Sequence, residues 1–171
     1  GLAPEIAARL AVLAGKAAAI DRLGKSRPLS VGSPVFQSDI VETEAKSHAL
    51  LMFVDEGRVT VQDDTRLLLV QFRYEPARPA KGQSVLRLLR GGIRVQTGLL
   101  SKQHPEGYVI ETVTGSISVA GTGFDASCRG ACEGTVQRPG PAPAVRPPVS
   151  PDNASNGLFV NMPAAGAGNF S

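Results

Sequence analysis

From Pro28 onward the chain reads as short runs rich in Val, Ile, Leu, Phe and Thr, separated by turn clusters. Runs of this kind, recurring at roughly 8–12 residues, predict an all-β architecture: a sandwich, barrel or solenoid. The strands read this way are Pro34–Phe36, Ile40–Thr43, Ala49–Val54, Val59–Gln62, Arg66–Tyr74, Ser84–Arg90, Ile93–Leu99, Tyr108–Thr114 and Ser116–Val119. Between them lie Gly32-Ser33, Asp55-Glu56-Gly57, Asp63-Asp64-Thr65, Glu75–Gly82, Gly91-Gly92, Lys102–Gly107 and Gly115. In RLLLVQFRY, Leu67, Leu69 and Gln71 share one side, and Leu68, Val70 and Phe72 share the other. Both sides are apolar at the start of that run, which predicts cover on both.

The first 23 residues read differently. Leu2, Ile6, Leu10, Leu13, Ala17 and Ile20 fall at spacings of 3 and 4, a helical stripe, and the alanine content favours helix. Gly15, with Lys16 beside it, interrupts the stripe and equally marks a turn between two short strands. The other end of the chain changes in composition. Residues 136–171 hold seven of the 13 prolines and three charges, Arg138, Arg146 and Asp152. PGPAPAVRPPVSP cannot build a ladder, because proline lacks the donor and favours extended geometry. The expected organisation is a β domain over 1–135 and an extended Pro/Gly/Ala-rich tail over 136–171. That tail carries a short apolar patch, GLFVNMP, at 157–163.

Composition narrows the picture further. At 171 residues one domain is expected. With no Trp, 6 Phe and 2 Tyr, the core must be aliphatic. A net charge of +3 is too small for a dedicated nucleic-acid binder. The longest strongly apolar run, ALLMFV, is too short to span a membrane. Cys128 and Cys132, in CRGAC, suit a short-loop disulfide, with two buried free thiols as the alternative. No second Cys/His pair completes a metal site, so neither metal nor cofactor is expected. A disulfide would place the chain outside the cytoplasm.

Catalytic chemistry finds no centre in the sequence. His48 opens a strand and His104 sits in a turn, neither near a G-x-S-x-G elbow or a cysteine. Asp55-Glu56 and Asp63-Asp64 lack calcium-loop spacing and read as turn acids bonding their own backbone. Gly91-Gly92 reads as a bulge or tight turn with positive φ, not a phosphate loop. Arg66, Arg73, Arg87, Arg90 and Arg94 run along consecutive strands, with Phe72 and Tyr74 adjoining. Aligned on one face, they would form a basic stripe attractive to an acidic glycan or an acidic protein surface. The competing reading is a solvated strand face balanced by Glu75, Asp63 and Asp64.

Four blocks carry a family resemblance. RPLSVGSPVFQSDIVET (27–43) is similar to a G-x-P-V-x-x-G-D-x-I-x-T block. ALLMFVDEGRVTVQDDTRLLLVQFRYEP (49–76) resembles A-x-L-x-F-x-D-G-x-x-x-x-L-x-x-x-S-x-L-x-L-x-x-Y. LRLLRGGIRVQTGLL (86–100) is similar to L-x-L-x-x-G-x-x-R-x-x-T-G, and YVIETVTGSISVAGTGFD (108–125) to a closing V-x-T-P-x-A-x-I-G-V-R-G-T-x-F motif. Together the blocks resemble the FecR domain, the extracytoplasmic β domain of iron-uptake transmembrane regulators. Secreted or periplasmic bacterial proteins also carry it alone. The chain departs from that pattern at Ser38 (Gly in the family), Thr43-Glu44 (Thr-Gly), Val113 (Pro) and Ala120 (Arg).

The resemblance implies a single FecR-like domain of many short strands, solenoid-like or jelly-roll-like. It turns the N-terminal segment into two strands, Arg9–Leu13 and Lys16–Asp21, around Gly15. It implies an envelope protein, periplasmic or secreted, whose signal peptide has been removed. It also implies a non-enzymatic interaction, sensing or scaffold module that binds a protein or polymer through its β surface. The alternative is a subunit of a homopolymeric filament or ring. There the tail, with Leu158, Phe159 and Val160 as anchor, would add a strand to the neighbouring copy.

Overall fold

Alternation in this sequence puts most of the described residues into strands. The computed structural model describes residues 5–112, 115–118, 123–128 and 158–161. The strands are β1 (Ile6–Ala14), β2 (Ala17–Ile20), β3 (Ser26–Pro28), β4 (Pro34–Phe36), β5 (Ile40–Thr43), β6 (His48–Phe53) and β7 (Arg58–Val61). They continue with β8 (Arg66–Arg73), β9 (Gln83–Gln96), β10 (Tyr108–Thr112), β11 (Gly115–Ser118), β12 (Gly123–Cys128) and β13 (Leu158–Asn161). Among the described residues a short α-helix, α1 (Leu99–Gln103), and 3₁₀ turns at Pro79–Lys81 and Pro105–Gly107 interrupt them. Among the described residues no helix is long and apolar enough to cross a membrane.

These strands form one curled sheet folded over itself. Its first half runs β4-β1-β6-β7-β9-β12-β13, and its second runs β3-β2-β5-β8-β9-β10-β11. β9 belongs to both halves: residues 83–90 pair with β8, and residues 93–96 pair with β7. All pairings are antiparallel except β9 with β10. The inner faces meet in an aliphatic core that includes Leu10, Leu51, Leu67, Leu69, Leu86, Leu88, Ile93 and Ile110, each at most 1% exposed. This is the all-β, many-stranded fold expected, and its strand count is what an aliphatic alternating sequence can bury.

Where the chain crosses between halves, one device is used twice. Gly15 (φ +81°) and Gly91 (φ +84°) take the left-handed conformation that turns a strand from one half into the other. A Cβ on Gly15 would lie 2.2 Å from Ser47 Oγ, and one on Gly91 would lie 2.1 Å from Thr65 Oγ1. Each hydroxyl accepts the N–H of the residue after its glycine: Lys16 into Ser47 at 2.9 Å, Gly92 into Thr65 at 3.0 Å. The β5–β6 and β7–β8 crossings lie between these two. Glu44 donates to the Lys16 carbonyl (3.1 Å), Asp64 to the Glu44 carbonyl (3.0 Å) and Gln62 to the Gly92 carbonyl (3.0 Å). The stacked crossings form a corner end, and the hairpins and α1 lie at the opposite, open end.

The N-terminal helical stripe does not form a helix: β1 and β2 flank Gly15, as the family pattern implies. β1 is covered by β4 and β6, and those ladders outweigh the alanine preference. The two strands expected over 84–99 are one strand, because Gly91 bends the ladder without ending it, and Leu99 begins α1. β3, α1 and β12 lie outside the strands read from the pattern. So does β13, which falls in the segment expected as an extended tail and pairs with β12 of its own chain: Ala126 opposite Val160, Ser127 opposite Phe159.

Candidate functional site

Two features at the surface have a built character. The first is the outward face of the second half-sheet. Alternation sends Leu67, Leu69, Leu86 and Leu88 into the core, and so sends their neighbours out. Ile20, Ile40 and Leu68 stand directly opposite one another across β2, β5 and β8, and Arg87 and Glu111 continue that row. Val70, Leu89 and Val109 flank it, all half-buried. Cover on both sides of β8 was expected. Among the described residues this side has no second layer. Two cross-strand ion pairs bound the face: Arg66–Glu42 at 2.5 Å and Arg87–Glu111 at 2.8 Å.

The second feature is a groove of about 550 Å³ at the open end, beside the β2–β3 hairpin and the β4–β5 turn. Its organising group is Asp39, 2% exposed. The Asp39 carboxylate accepts the Phe36 N–H at 2.8 Å and the Arg27 Nη2 at 2.7 Å, and Arg27 Nη2 also donates to the Pro34 carbonyl at 2.9 Å. The guanidinium lies over the Phe36 ring, 5.4 Å from its centroid, and the Arg27 side chain is 32% exposed. Phe72, which packs on Phe53 with centroids 5.0 Å apart, forms another wall. Gln37 Oε1 accepts the Phe72 N–H at 3.1 Å, which leaves the NH₂ end of that amide free to face solvent. The same bonds close the β4 edge. Pro34 has no N–H, its carbonyl is taken by Arg27, and Asp39 engages both the N–H and the carbonyl of Phe36.

The predicted arginines do not form one basic stripe. Arg66 and Arg87 share the outward face, each with its own glutamate. Arg90 sits at the corner end, 2.6 Å from Asp64. Arg73 shares Glu75 with Arg78. Against desolvation, the hydrogen bonds from Arg78 and Arg73 hold the Glu75 carboxyl below the usual carboxylate range. Arg94 lies on the other half-sheet, opposite Thr60. Arg66, Arg73, Arg87 and Arg90 each carry a carboxylate within the fold, which lowers the local field they present. Phe72 reaches the groove, and Tyr74 packs against the core. Leu158, Phe159 and Val160 stand in register on β12. The Cys128–Cys132 pairing lies outside the described residues.

Asp55 is a turn acid that does more than serve its own turn. It is 1% exposed, and it accepts the Gly57 N–H at 3.0 Å and, from across the sheet, the Leu100 N–H at 3.1 Å. It thereby holds the start of α1 against the β6–β7 hairpin. Burial first, and the Asp55 charge second, push the Tyr108 phenol above its ordinary value. His104 lies 3.4 Å from Glu106, and no cluster of metal-ligating side chains occurs among the described residues. Sequence reasoning missed Arg27, Phe36, Gln37 and Asp39 as a group. The available signal was the SPVFQSD block itself, where a proline, an aromatic and an acid crowd one short turn.

A solved structure described as a cell surface anchoring domain is 24% identical, with a TM-score of 0.36, covering 36% of this chain and 82% of that one. No curated protein matches the chain. A family model described as FecR protein matches residues 39–137. FecR is an envelope-associated, non-enzymatic regulatory and sensing family. The matched span covers β5 to β12 and more than half of the sequence, and the chain belongs to the FecR family.

Proposed function

We propose that this protein is a non-enzymatic interaction module of the bacterial envelope, periplasmic or secreted, that docks a protein partner on its outward β face. The carrying observation is the half-buried aliphatic face of Ile20, Ile40, Leu68, Val70, Leu89 and Val109. A monomer gains nothing by keeping one strand apolar on both sides. A partner that covers that side gains area, with a polar rim already neutralised by Arg66–Glu42 and Arg87–Glu111. Photo-cross-linkers placed at Leu68 and, as control, at Met52 on the other half-sheet test this in envelope preparations. Adducts at residue 68 that vanish in a Val70→Lys background support the reading. Equal labelling at both positions overturns it.

A second reading draws on β13. The segment Leu158–Asn161 pairs with β12 in its own chain, and in an assembly the β13 of a neighbouring copy would take that register in its place. Removal of Pro139–Ser171 then abolishes higher assembly in sedimentation velocity. Identical sedimentation of the truncated and full chains rules it out.

A further inference from the structure

We infer that the open-end groove is a binding site for an uncharged saccharide segment, separate from the outward β face. Charge comes first. Arg22 and Arg27 line the groove together with Glu5, Asp21 and Asp39, so its charges nearly cancel. An acidic or basic polymer gains little there, and a lipid chain would have to desolvate that charged rim. What the groove offers instead is fixed hydrogen-bonding capacity beside aromatic surface. Arg27 Nη2 spends both protons on Asp39 and Pro34, which pins the planar guanidinium on Phe36. Its remaining N–H groups are then preorganised donors whose positive charge is already compensated. Such donors suit hydroxyl and amide carbonyl acceptors better than carboxylates.

Gln37 adds a second fixed donor. Its carbonyl end is committed to the Phe72 backbone, so its NH₂ is the end a ligand meets. Asp21 adds an acceptor. One of its carboxylate oxygens holds the hairpin through Leu23 N–H and Lys25 N–H, both at 2.9 Å, and the other remains for a hydroxyl. Phe72 and Phe36 are half-buried and supply apolar surface for the C–H face of a sugar ring. The volume, about 550 Å³, falls in the range of small-ligand sites. Donors, acceptors and aromatic walls with no net charge describe a polyol, and a repeating neutral glycan is the envelope polymer with that chemistry.

The test titrates the full chain with maltotetraose, cellotetraose and tetra-N-acetylchitotetraose, read by saturation-transfer NMR and by shifts of backbone amides. At least one sugar is expected to bind, with shifts confined to residues 21–27, 36–39 and 72. Phe72→Ala and Gln37→Ala should each weaken it about tenfold. Gln37 is exposed, so its variant serves even where Phe72→Ala fails to fold. Arg90→Ala and Leu68→Glu, both outside the groove, should leave binding unchanged. No binding by any of the three sugars overturns the inference. So does binding that survives Gln37→Ala, or a poly-glutamate peptide that shifts the same amides in their place. Loss of the β-face cross-link with intact sugar binding would sink the protein-docking proposal alone.

Discussion

The two ends of this sandwich are fastened by different means. At the corner end, backbone meets neutral hydroxyls: Gly15 against Ser47 and Gly91 against Thr65, with N–H groups donated into both. At the open end, buried carboxylates do the fastening: Asp39 ties the β4–β5 turn to β3, and Asp55 ties the β6–β7 hairpin to α1. At Gly15 and Gly91 the corner leaves no room for a methyl. The open end must bring charge into the structure to close its loops, and the same charges leave donors facing a groove. A fold with both kinds of end has one whose geometry is set by steric exclusion and one whose chemistry remains available to a ligand.

Breaking the corner should have the largest effect. Gly91→Ala needs a side chain at positive φ and places its Cβ on the Thr65 hydroxyl, so it should cost about 3 kcal/mol or more, seen in urea unfolding. An undiminished midpoint would mean the corner yields. At the open end, Asp39→Ala strands the Phe36 N–H and frees Arg27, which is only partly buried. About 2 kcal/mol is expected, with the fold retained and the groove disordered in amide exchange.

The open end should also be the alkali-sensitive one. Tyr108 titrates above its ordinary value of 10.0 in the folded chain, so above that pH the unfolded chain loses a proton that the folded chain keeps. This contribution is whole below pH 10 and lost as pH rises beyond it, by up to about 1.4 kcal/mol per pH unit. Melting curves between pH 8 and 11 should therefore diverge from those of Tyr108→Phe, which lacks the loss. The smallest effect sharpens the contrast from the other direction. Ser38 holds φ +77°, and Ser38→Gly should stabilise by about 0.5 kcal/mol, measured as a slightly raised midpoint.

Much of this was readable from local pattern. β4 and β5 fall where the alternation puts them, Gly91 has the positive φ its place in the sequence called for, and Asp55 bonds the backbone of its own turn. Period-two alternation is a property of neighbouring residues, so from Pro28 to Thr112 the sequence alone determined that the chain runs in strands and which side chains face inward. It could not determine partners. Residues 6–20 carry a helical stripe, and only the ladders to β4 and β6 on β1 and to β5 on β2 made them strands. Arg66 and Arg87 look like free cations until pairing sets Glu42 and Glu111 opposite them. Arg27 and Asp39, twelve residues apart, meet because two edge strands of three residues each bring them together. Alternation is written along the chain, whereas register, ion pairing and the groove arise between segments, and only the folded sheet fixes which segments meet.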